Sequence, residues 1–309
     1  MADVPTANYG WIKPDIGASD DTWGGKLNTD LDGIDSTVKS VSIVANAAYP
    51  ASNPSGYQTA AQVTTAVTTY PVGDNRVING NFAINQRGYV SGTALAAAAY
   101  GHDRWKAGAG GCTYTFAASL PDTTATITAG TLTQVIEAGM IEGGVYTLSW
   151  TGTAQARVYQ GTPTGSYAAS PIVTASLTAG TNTIVEFNTG TLVRAKLEVG
   201  SVATPYNRQS LSKSQADCER YFRWVPVNVA GWAGGAGNNL GVPVAWSQMR
   251  AAPTISAVST DPNTTQSSTN NSTNGAANIT AYGALEYVTA VAVGAVVLQG
   301  YRFSASAEL

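Results

Sequence analysis

A tryptophan set among glycines is the residue of this chain best suited to contact a ligand. Trp232 lies in the segment VAGWAGGAGNN at 229–239, where flanking glycines cannot cover its indole ring. Sugar-binding sites combine aromatic faces with amide or charged groups that bond hydroxyls. The segment therefore predicts a glycan site formed by Trp232, Asn238 and Asn239. Packing of Trp232 against a neighbouring subunit is the alternative that this pattern leaves open.

Three tyrosines extend the search for sugar contacts. Tyr282 follows a stretch at 261–278 that is rich in Ser, Thr and Asn, and Tyr159 and Tyr167 lie beside the turn GTPTG at 161–165. We interpret 261–278 as a long exposed loop, because it has too few apolar residues to pack. Tyr282 joins Trp232 as a candidate glycan contact, and Tyr159 with Tyr167 marks a second candidate glycan surface.

Other tryptophans follow the periodicity of strands. Trp150 shares its phase with Tyr146 and Leu148, and Trp246 shares its phase with the valines before it. Residues of one phase lie on one face of a strand, so we assign both rings to cores. Trp105, which follows an Asp-Arg pair, is assigned to the framework as well.

The residues that could carry catalysis are few. His102 is the single histidine, and no nucleophile motif surrounds it, so we expect a structural role for it. Glycoside hydrolysis needs two carboxylates about 5 to 10 Å apart. Two pairs of glutamates could be brought together in space: Glu137 with Glu142, and Glu186 with Glu198. Neither resembles a dedicated acid pair, and we predict no catalytic residue.

The composition narrows the class of protein. Charged residues make up 11% of the chain, against about 25% in ordinary globular proteins. A net charge of -3 gives no basic surface for nucleic acid or an anionic membrane, and the most apolar window is too short to span a bilayer. Asp30, Asp32 and Asp35 lack the downstream glutamate of a calcium loop, so we place them on a solvated helix face and predict no metal and no cofactor. Cys112 and Cys218 have no metal or redox spacing and are expected to be buried free thiols, and the first residues do not form a signal peptide.

Apolar residues in the larger part of the chain alternate with a period of two. Short runs of this kind, separated by Gly, Pro or Asn turns, fill 76–208 and return in 225–309. Such spacing is typical of antiparallel sandwiches. The sequence predicts a mainly β protein with two antiparallel β-sandwich, jelly-roll-like domains at 76–208 and 225–309, joined by a connector at 209–224.

The segment 27–48 has a different period. Its apolar residues are spaced alternately by four and three positions: Leu27, Leu31, Ile34, Val38, Val41, Ala45 and Ala48. An average of 3.5 residues is the repeat of a coiled-coil seam. We predict a short self-associating helical stalk at 22–75, continued by a second heptad-like run through Ala60, Val63, Val67 and Tyr70. An amphipathic helix packed on its own domain is the alternative. The arm at 1–21 is too short for a core of its own, so Trp11 and Trp23 must be buried against the stalk or a partner.

Several motifs resemble bacteriophage tail fibres and related virion spikes, including the head spikes of gene-transfer agents. They occur in the family's order across most of the chain: PDIGAS at 14–19, TWG at 22–24, LN at 27–28, NGNFAINQRG at 79–88, DRW at 103–105, LEVGSVATPY at 197–206, CERYF at 218–222, MRAAPT at 249–254 and SAEL at 306–309. The segment at 197–206 with CERYF is the most specific of these.

The resemblance implies a homotrimeric fibre carried on a phage or gene-transfer-agent particle and made in the bacterial cytoplasm. Its N-terminus would attach to a tail, baseplate or capsid protein through Trp11 and Trp23. The trimer would form through Leu27, Leu31, Ile34, Val38 and Val41. A central domain similar to carbohydrate-binding modules and a distal receptor-binding domain would attach the particle to host capsule or envelope polysaccharide. A polysaccharide depolymerase and a purely structural connector are the alternatives.

Overall fold

A computed structural model describes residues 4–9, 12–13, 23–48, 73–119, 121–256, 259–262 and 267–309. The chain divides into two compact units, Met1–Thr69 and Tyr70–Leu309. Antiparallel strands dominate the second unit, which confirms the predicted mainly β class. The second heptad-like run and Trp11 lie outside the described residues. Of Trp23 only the backbone is described.

The first unit contains a two-stranded ribbon and one long helix. β1 (Val4–Pro5) pairs with β2 (Ile12–Lys13), and α1 spans Trp23–Ala48. Large apolar side chains of α1 are exposed to solvent, while Leu31 is half-buried; the exposed ones on the heptad stripe are Leu27, Ile34, Val38 and Val41. Packing within one copy of the unit therefore leaves most of the stripe uncovered.

Asp35 is buried, so its predicted place on a solvated face is wrong. Its Oδ1 accepts hydrogen bonds from Thr6 Oγ1 at 3.1 Å and from the Tyr9 backbone N–H at 3.0 Å. Its Oδ2 accepts from Asn8 backbone N at 3.1 Å and Asn8 Nδ2 at 2.7 Å. Burial acts to raise the pKa of Asp35, but these hydrogen bonds bring it below its ordinary value. The arm packs over this turn of α1, a long-range contact that helical periodicity does not encode. Asp30 and Asp32 are exposed as predicted.

Residues 73–210, called here the central region, form eight antiparallel strands. The strands are β3 (Ala94–Leu95), β4 (Lys106–Ser119), β5 (Asp122–Ile136), β6 (Tyr146–Thr151), β7 (Ala156–Gln160), β8 (Ile172–Val173), β9 (Thr183–Phe187) and β10 (Gly190–Val199). They pair in the order β3-β4-β5-β10-β6-β8, with β9 between β5 and β7. β5 pairs with β10 through its first half and with β9 through its second half, so the strands surround one apolar core.

The core of the central region contains Trp105 and Trp150, both of which the sequence analysis assigned to the framework. Trp105 is fully buried, stacks on Phe82 with 4.7 Å between ring centroids, and donates from Nε1 to the Asn79 carbonyl. Trp150 packs edge-on against Phe187 at 5.2 Å. His102 is buried with Nδ1 2.9 Å from the Tyr114 hydroxyl, and burial lowers its pKa to about 4. These contacts give His102 a structural role.

Helix α2 (Leu211–Glu219) leads into the C-terminal region, which comprises residues 222–309. Its strands are β11 (Phe222–Ala233), β12 (Asn239–Ala245), β13 (Thr254–Ile255), β14 (Ser259–Thr260), β15 (Ser267–Thr269), β16 (Asn271–Thr280), β17 (Gly283–Ala290) and β18 (Gly294–Ser306). β18 pairs with β11 along its length and with β13, β14 and β15 on its other side, while β17 lies between β12 and β16. A second apolar core lies in this region, and Trp246 packs against it but is only half-buried, while Val242 of the same phase is exposed. Cys112 and Cys218 are free and buried, which confirms the expectation for both.

The stretch 261–278 is largely strand, so the predicted long loop is wrong. β15 and β16 account for most of its described residues, and β16 pairs with β17. Side-chain hydrogen bonds fix the turn between them. Asn270, at φ 53°, exchanges hydrogen bonds with the Ala292 backbone, and Asn271 Nδ2 donates to the Val297 carbonyl at 3.1 Å. Backbone pairing needs no apolar side chains, which is why composition suggested a loop.

A buried polar junction joins the central and C-terminal regions. Glu308 accepts from Arg87 Nη2 at 3.0 Å through Oε1 and forms an ion pair with Arg104 through Oε2. The Arg104 guanidinium lies 3.6 Å from the centroid of the Tyr221 ring, and that of Arg87 lies 3.7 Å from the centroid of Phe222. We call Arg87, Arg104, Tyr221, Phe222 and Glu308 the junction. Most of these residues come from motifs that carry the family resemblance.

Candidate functional site

Three turns meet at one end of the C-terminal region, called here the tip. They connect β11 with β12 at 234–238, β15 with β16 at Asn270, and β17 with β18 at 291–293. The Gly237 N–H donates to the Ala290 carbonyl at 2.8 Å, and the Ala290 N–H donates to the Asn238 carbonyl at 2.9 Å. Asn270 Nδ2 donates to the Ala292 carbonyl at 3.0 Å. Because the turns are hydrogen-bonded to one another, the tip is an organised surface.

Trp232 is the most exposed large side chain at the tip. In β11 the valines at 225, 227 and 229 point into the core, which places Trp232 on the outer face, 72% exposed. Its cross-strand partner is Ala295, and Ala230 beside it pairs with Val297. Small neighbours leave the indole ring uncovered. A Cβ at Gly231 would lie 2.4 Å from Leu240 Cδ2, so any larger residue there would require the Leu240 side chain to move.

The two asparagines named with Trp232 lie at the same end of the region. Both are exposed, and β12 begins at Asn239. Asn239 Oδ1 accepts a hydrogen bond from Thr289 Oγ1 at 2.7 Å, which fixes the side chain at its carbonyl end. Within the described residues the Asn238 side chain has no hydrogen-bond partner, and Asn239 uses only its oxygen. Amide donors and acceptors beside an exposed indole are the groups that bind sugar hydroxyls and C–H faces.

The apolar character of the tip was missed from the sequence. Val291 and Val293, in the turn before β18, are 51% and 64% exposed. Both lie in a continuous apolar run, which is more typical of a buried strand than of a turn. The alternation of buried and less buried residues along β17 ends at this turn, and that change of pattern is the signal that could have identified them.

Tyr282 does not belong to this site. In the β12–β17 register Asn239 pairs with Thr289 at the tip, whereas Ala245 pairs with Gly283 at the other end. Six residues along a strand correspond to roughly 20 Å. Tyr282 is exposed in the β16–β17 turn, and its carbonyl accepts from the Trp246 N–H at 2.9 Å. Sequence proximity to the polar stretch had suggested a grouping that strand direction rules out.

Tyr159 and Tyr167 lie together in the central region. The Arg157 guanidinium lies 5.3 Å from the Tyr159 ring centroid and 4.7 Å from that of Tyr167. Glu186 pairs with Arg157 at 2.9 Å and accepts from the Tyr167 hydroxyl at 2.9 Å. Burial raises the pKa of Tyr159 to about 12 and that of Tyr167 to about 12. Tyr159 and Ile184 also line a cleft of about 220 Å³. Tyr159 is itself buried, so this surface offers less exposed aromatic face than the tip.

The carboxylates considered for hydrolysis are held in ion pairs. Glu142 pairs with Arg76 at 2.7 Å, Glu198 with Lys196 at 3.1 Å, and Glu137 with Arg220. Burial acts to raise the pKa of Glu137, but the hydrogen bonds from Arg220 and Tyr221 lower it. The pKa of Glu186 is lowered in the same way by Tyr167 and Arg157. A general acid needs a raised pKa, so neither is tuned for that role.

One carboxyl group escaped the sequence analysis. Glu286 of β17 is 1% exposed, on the strand face that also carries Ala284 and Val288. Burial raises its pKa to about 7, with a smaller opposing effect from the Asn228 backbone N–H. Strand phase could have placed Glu286 in the core, because it alternates with buried residues on both sides.

The described residues contain no group of three or more His, Cys, Asp or Glu side chains arranged to hold a metal ion. Neither of the two helices they form has the length and apolar character to cross a bilayer. Comparison of the chain with protein-family models, curated proteins and solved structures found no match.

Proposed function

We propose that this chain is a non-enzymatic virion fibre or spike that attaches a phage-like particle to polysaccharide on the host cell. The observation that carries the proposal is Trp232, an indole 72% exposed on a sheet face, beside two asparagines with unused amide groups. The motifs that resemble tail fibres and head spikes support the same conclusion. The protein is made in the bacterial cytoplasm and acts on the particle.

The assembly is a homotrimer wound through α1. Leu27, Ile34, Val38 and Val41 expose 39% to 62% of their surface, which a lone helix in water does not favour. A 3.5-residue repeat brings them onto one seam together with Leu31. Three copies place three tips on one particle spike, and multivalency raises the apparent affinity of weak sugar sites. Trp11 and Trp23 anchor the N-terminus to the virion, and the two β regions act as jelly-roll-like sandwiches.

Binding to purified host polysaccharide tests the attachment function. Trp232→Ala removes the aromatic face, and we expect affinity to fall at least about tenfold, as for aromatic anchors of other interfaces. Tyr282→Ala is the matched control, because it removes an aromatic ring that is exposed at the opposite end of the region. Equal binding by both variants and the parent chain would contradict a site at Trp232.

Sedimentation of the full chain tests the assembly. Ile34→Asp places a charge on the seam, and we expect it to yield the mass of one copy. Ile43→Asp is the control, since Ile43 is 57% exposed on α1 but lies off the heptad stripe. A parent chain that sediments as one copy would end the trimer proposal.

The depolymerase alternative is tested separately. Glu137, Glu142, Glu186 and Glu198 each have a cationic partner, which favours binding over hydrolysis. Release of reducing ends from host polysaccharide, abolished by a single Glu→Gln change, would reverse this preference.

A further inference from the structure

Resting on the proposed attachment function, we propose that the tip recognises neutral polysaccharide, whose repeating units carry no carboxylate, phosphate or sulfate group. The inference concerns the chemical class of the ligand and follows from the distribution of charge. Between residues 224 and 301 the sequence contains three charged side chains, Arg250, Asp261 and Glu286.

None of these three charges lies at the tip. Arg250 belongs near the junction, where its Nε donates to the Ala307 carbonyl at 2.7 Å. The Asp261 N–H donates to the Gly300 carbonyl, and Gly300 is six residues along β18 from the tip, or roughly 20 Å. Glu286 is buried in the core. Among the described residues of the C-terminal region, none at the tip therefore carries a charge.

Arginine and lysine are the side chains that recognise carboxylate and phosphate groups, through paired hydrogen bonds and opposite charge. Along β18 from the tip, the first arginine is Arg302, and its guanidinium lies 4.0 Å from the centroid of the Trp224 ring. An acidic sugar seated on Trp232 would lose water against apolar Val291 and Val293 without gaining a cation. That desolvation costs an anion far more than a neutral sugar, whose hydroxyl groups are less strongly hydrated.

The exposed polar side chains that follow Trp232 at the tip are neutral amides. Asn238 and Asn239 can donate to and accept from hydroxyl groups, and the structure uses only the Asn239 oxygen. Carbohydrate C–H surfaces suit the exposed indole. A second copy of the chain could also cover this uncharged face. Unused amide groups beside the indole favour a sugar over a second copy, because sugar hydroxyls would use them.

The test uses the full chain and matched oligosaccharides that differ only at C6. Gluco-, galacto- and manno-oligosaccharides are compared with their glucuronic, galacturonic and mannuronic counterparts, at low and at high NaCl. We expect binding to at least one neutral member, binding at least about tenfold weaker to its acidic counterpart, and no loss at high salt. Tighter binding of an acidic member, weakened by salt, would overturn the inference and leave the attachment function intact.

Two variants locate the selectivity. Asn238→Lys adds a cation at the tip and is expected to reduce the discrimination against acidic members, whereas Tyr282→Lys adds the same charge at the opposite end and is expected to leave it unchanged. Equal effects of both variants would overturn the assignment to the tip. If the folded, assembled chain binds neither class, the attachment function itself fails, and with it this inference. A change of assembly mass in Trp232→Ala would instead identify the tip as a contact between copies.

Discussion

The junction and the tip use side chains in opposite ways. At the junction, Arg104 is 2% exposed, pairs with Glu308 and stacks on the Tyr221 ring, while Arg87 stacks on Phe222. At the tip, Trp232 is 72% exposed, and the three turns described there contain no charged residue. Buried charges must be paired to be tolerated, so the junction residues are bound to structural roles. An uncovered indole contributes little to folding and is available for a ligand. The segments at 79–88, 103–105, 218–222 and 306–309 therefore belong to the framework of this chain, while the proposed recognition surface lies outside them.

Two buried carboxyl groups of the C-terminal region, Glu308 and Glu286, differ in whether they have charged partners. Glu308 has two arginine partners from the central region. Glu286 lies among apolar side chains, and burial raises its pKa to about 7. Partners allow Glu308 to contribute to stability as an anion, whereas Glu286 fits its surroundings best when protonated.

The largest effect is expected at the junction. Glu308→Ala leaves Arg87 and Arg104 buried without their anion, and we expect the free energy of unfolding to fall by about 3 to 5 kcal/mol. Denaturant unfolding measures it. Asp217→Ala is the control, because it breaks an exposed pair with Lys213 that contributes at most about 1 kcal/mol. Similar losses for both variants would show that the junction is no more than a surface contact.

A somewhat smaller effect is expected from Glu286, and it depends on pH. Its pKa is about 7 when folded against a usual 4.5, so the folded state retains a proton that the unfolded chain releases. Stability therefore falls as pH rises from about 4.5 to about 7 and is level above that, a change of roughly 3 kcal/mol. Glu286→Gln cannot ionise and should remove this slope. Unfolding curves measured across that range test it, with exposed Glu142→Gln as the variant expected to keep the slope. A slope that survives Glu286→Gln would assign it to another group.

The smallest effect on stability is expected at the tip. Trp232→Ala should change the free energy of unfolding by no more than about 0.5 kcal/mol, because the ring is mostly solvated. Trp105→Ala, the same substitution in the core of the central region, should cost about 3 to 5 kcal/mol. Thermal unfolding of the two variants compares them directly. Marked destabilisation by Trp232→Ala would mean that the ring is packed and that the contrast between tip and framework is false.

Local patterns in the sequence predicted the parts that depend on local physics. The period of two predicted the strands, and phase placed Trp150 in a core and Trp246 at the edge of one. The heptad spacing predicted α1. Strand alternation could also have found Glu286. Glycines around Trp232 indicated its exposure, because they offer no side chains to cover a ring.

Other features depend on where distant segments meet. Asp35 is buried by an arm 26 to 29 positions earlier in the chain. Glu308 meets Arg104 across 204 positions. Strand direction separates Tyr282 from Trp232, and side-chain hydrogen bonds turn a polar stretch into β15 and β16. None of these follows from periodicity, because each depends on register between segments that are remote in sequence.

The sequence by itself determined the mainly β class, the heptad helix, the low charge and the exposed tryptophan. The tertiary structure decided that Tyr282 lies at the opposite end of the region from that tryptophan, and where the few buried charges find partners. The physical reason is the range of the forces involved. Backbone preference and solvent exposure act within a few residues, whereas ion pairing and strand pairing require the folded chain to bring distant groups together.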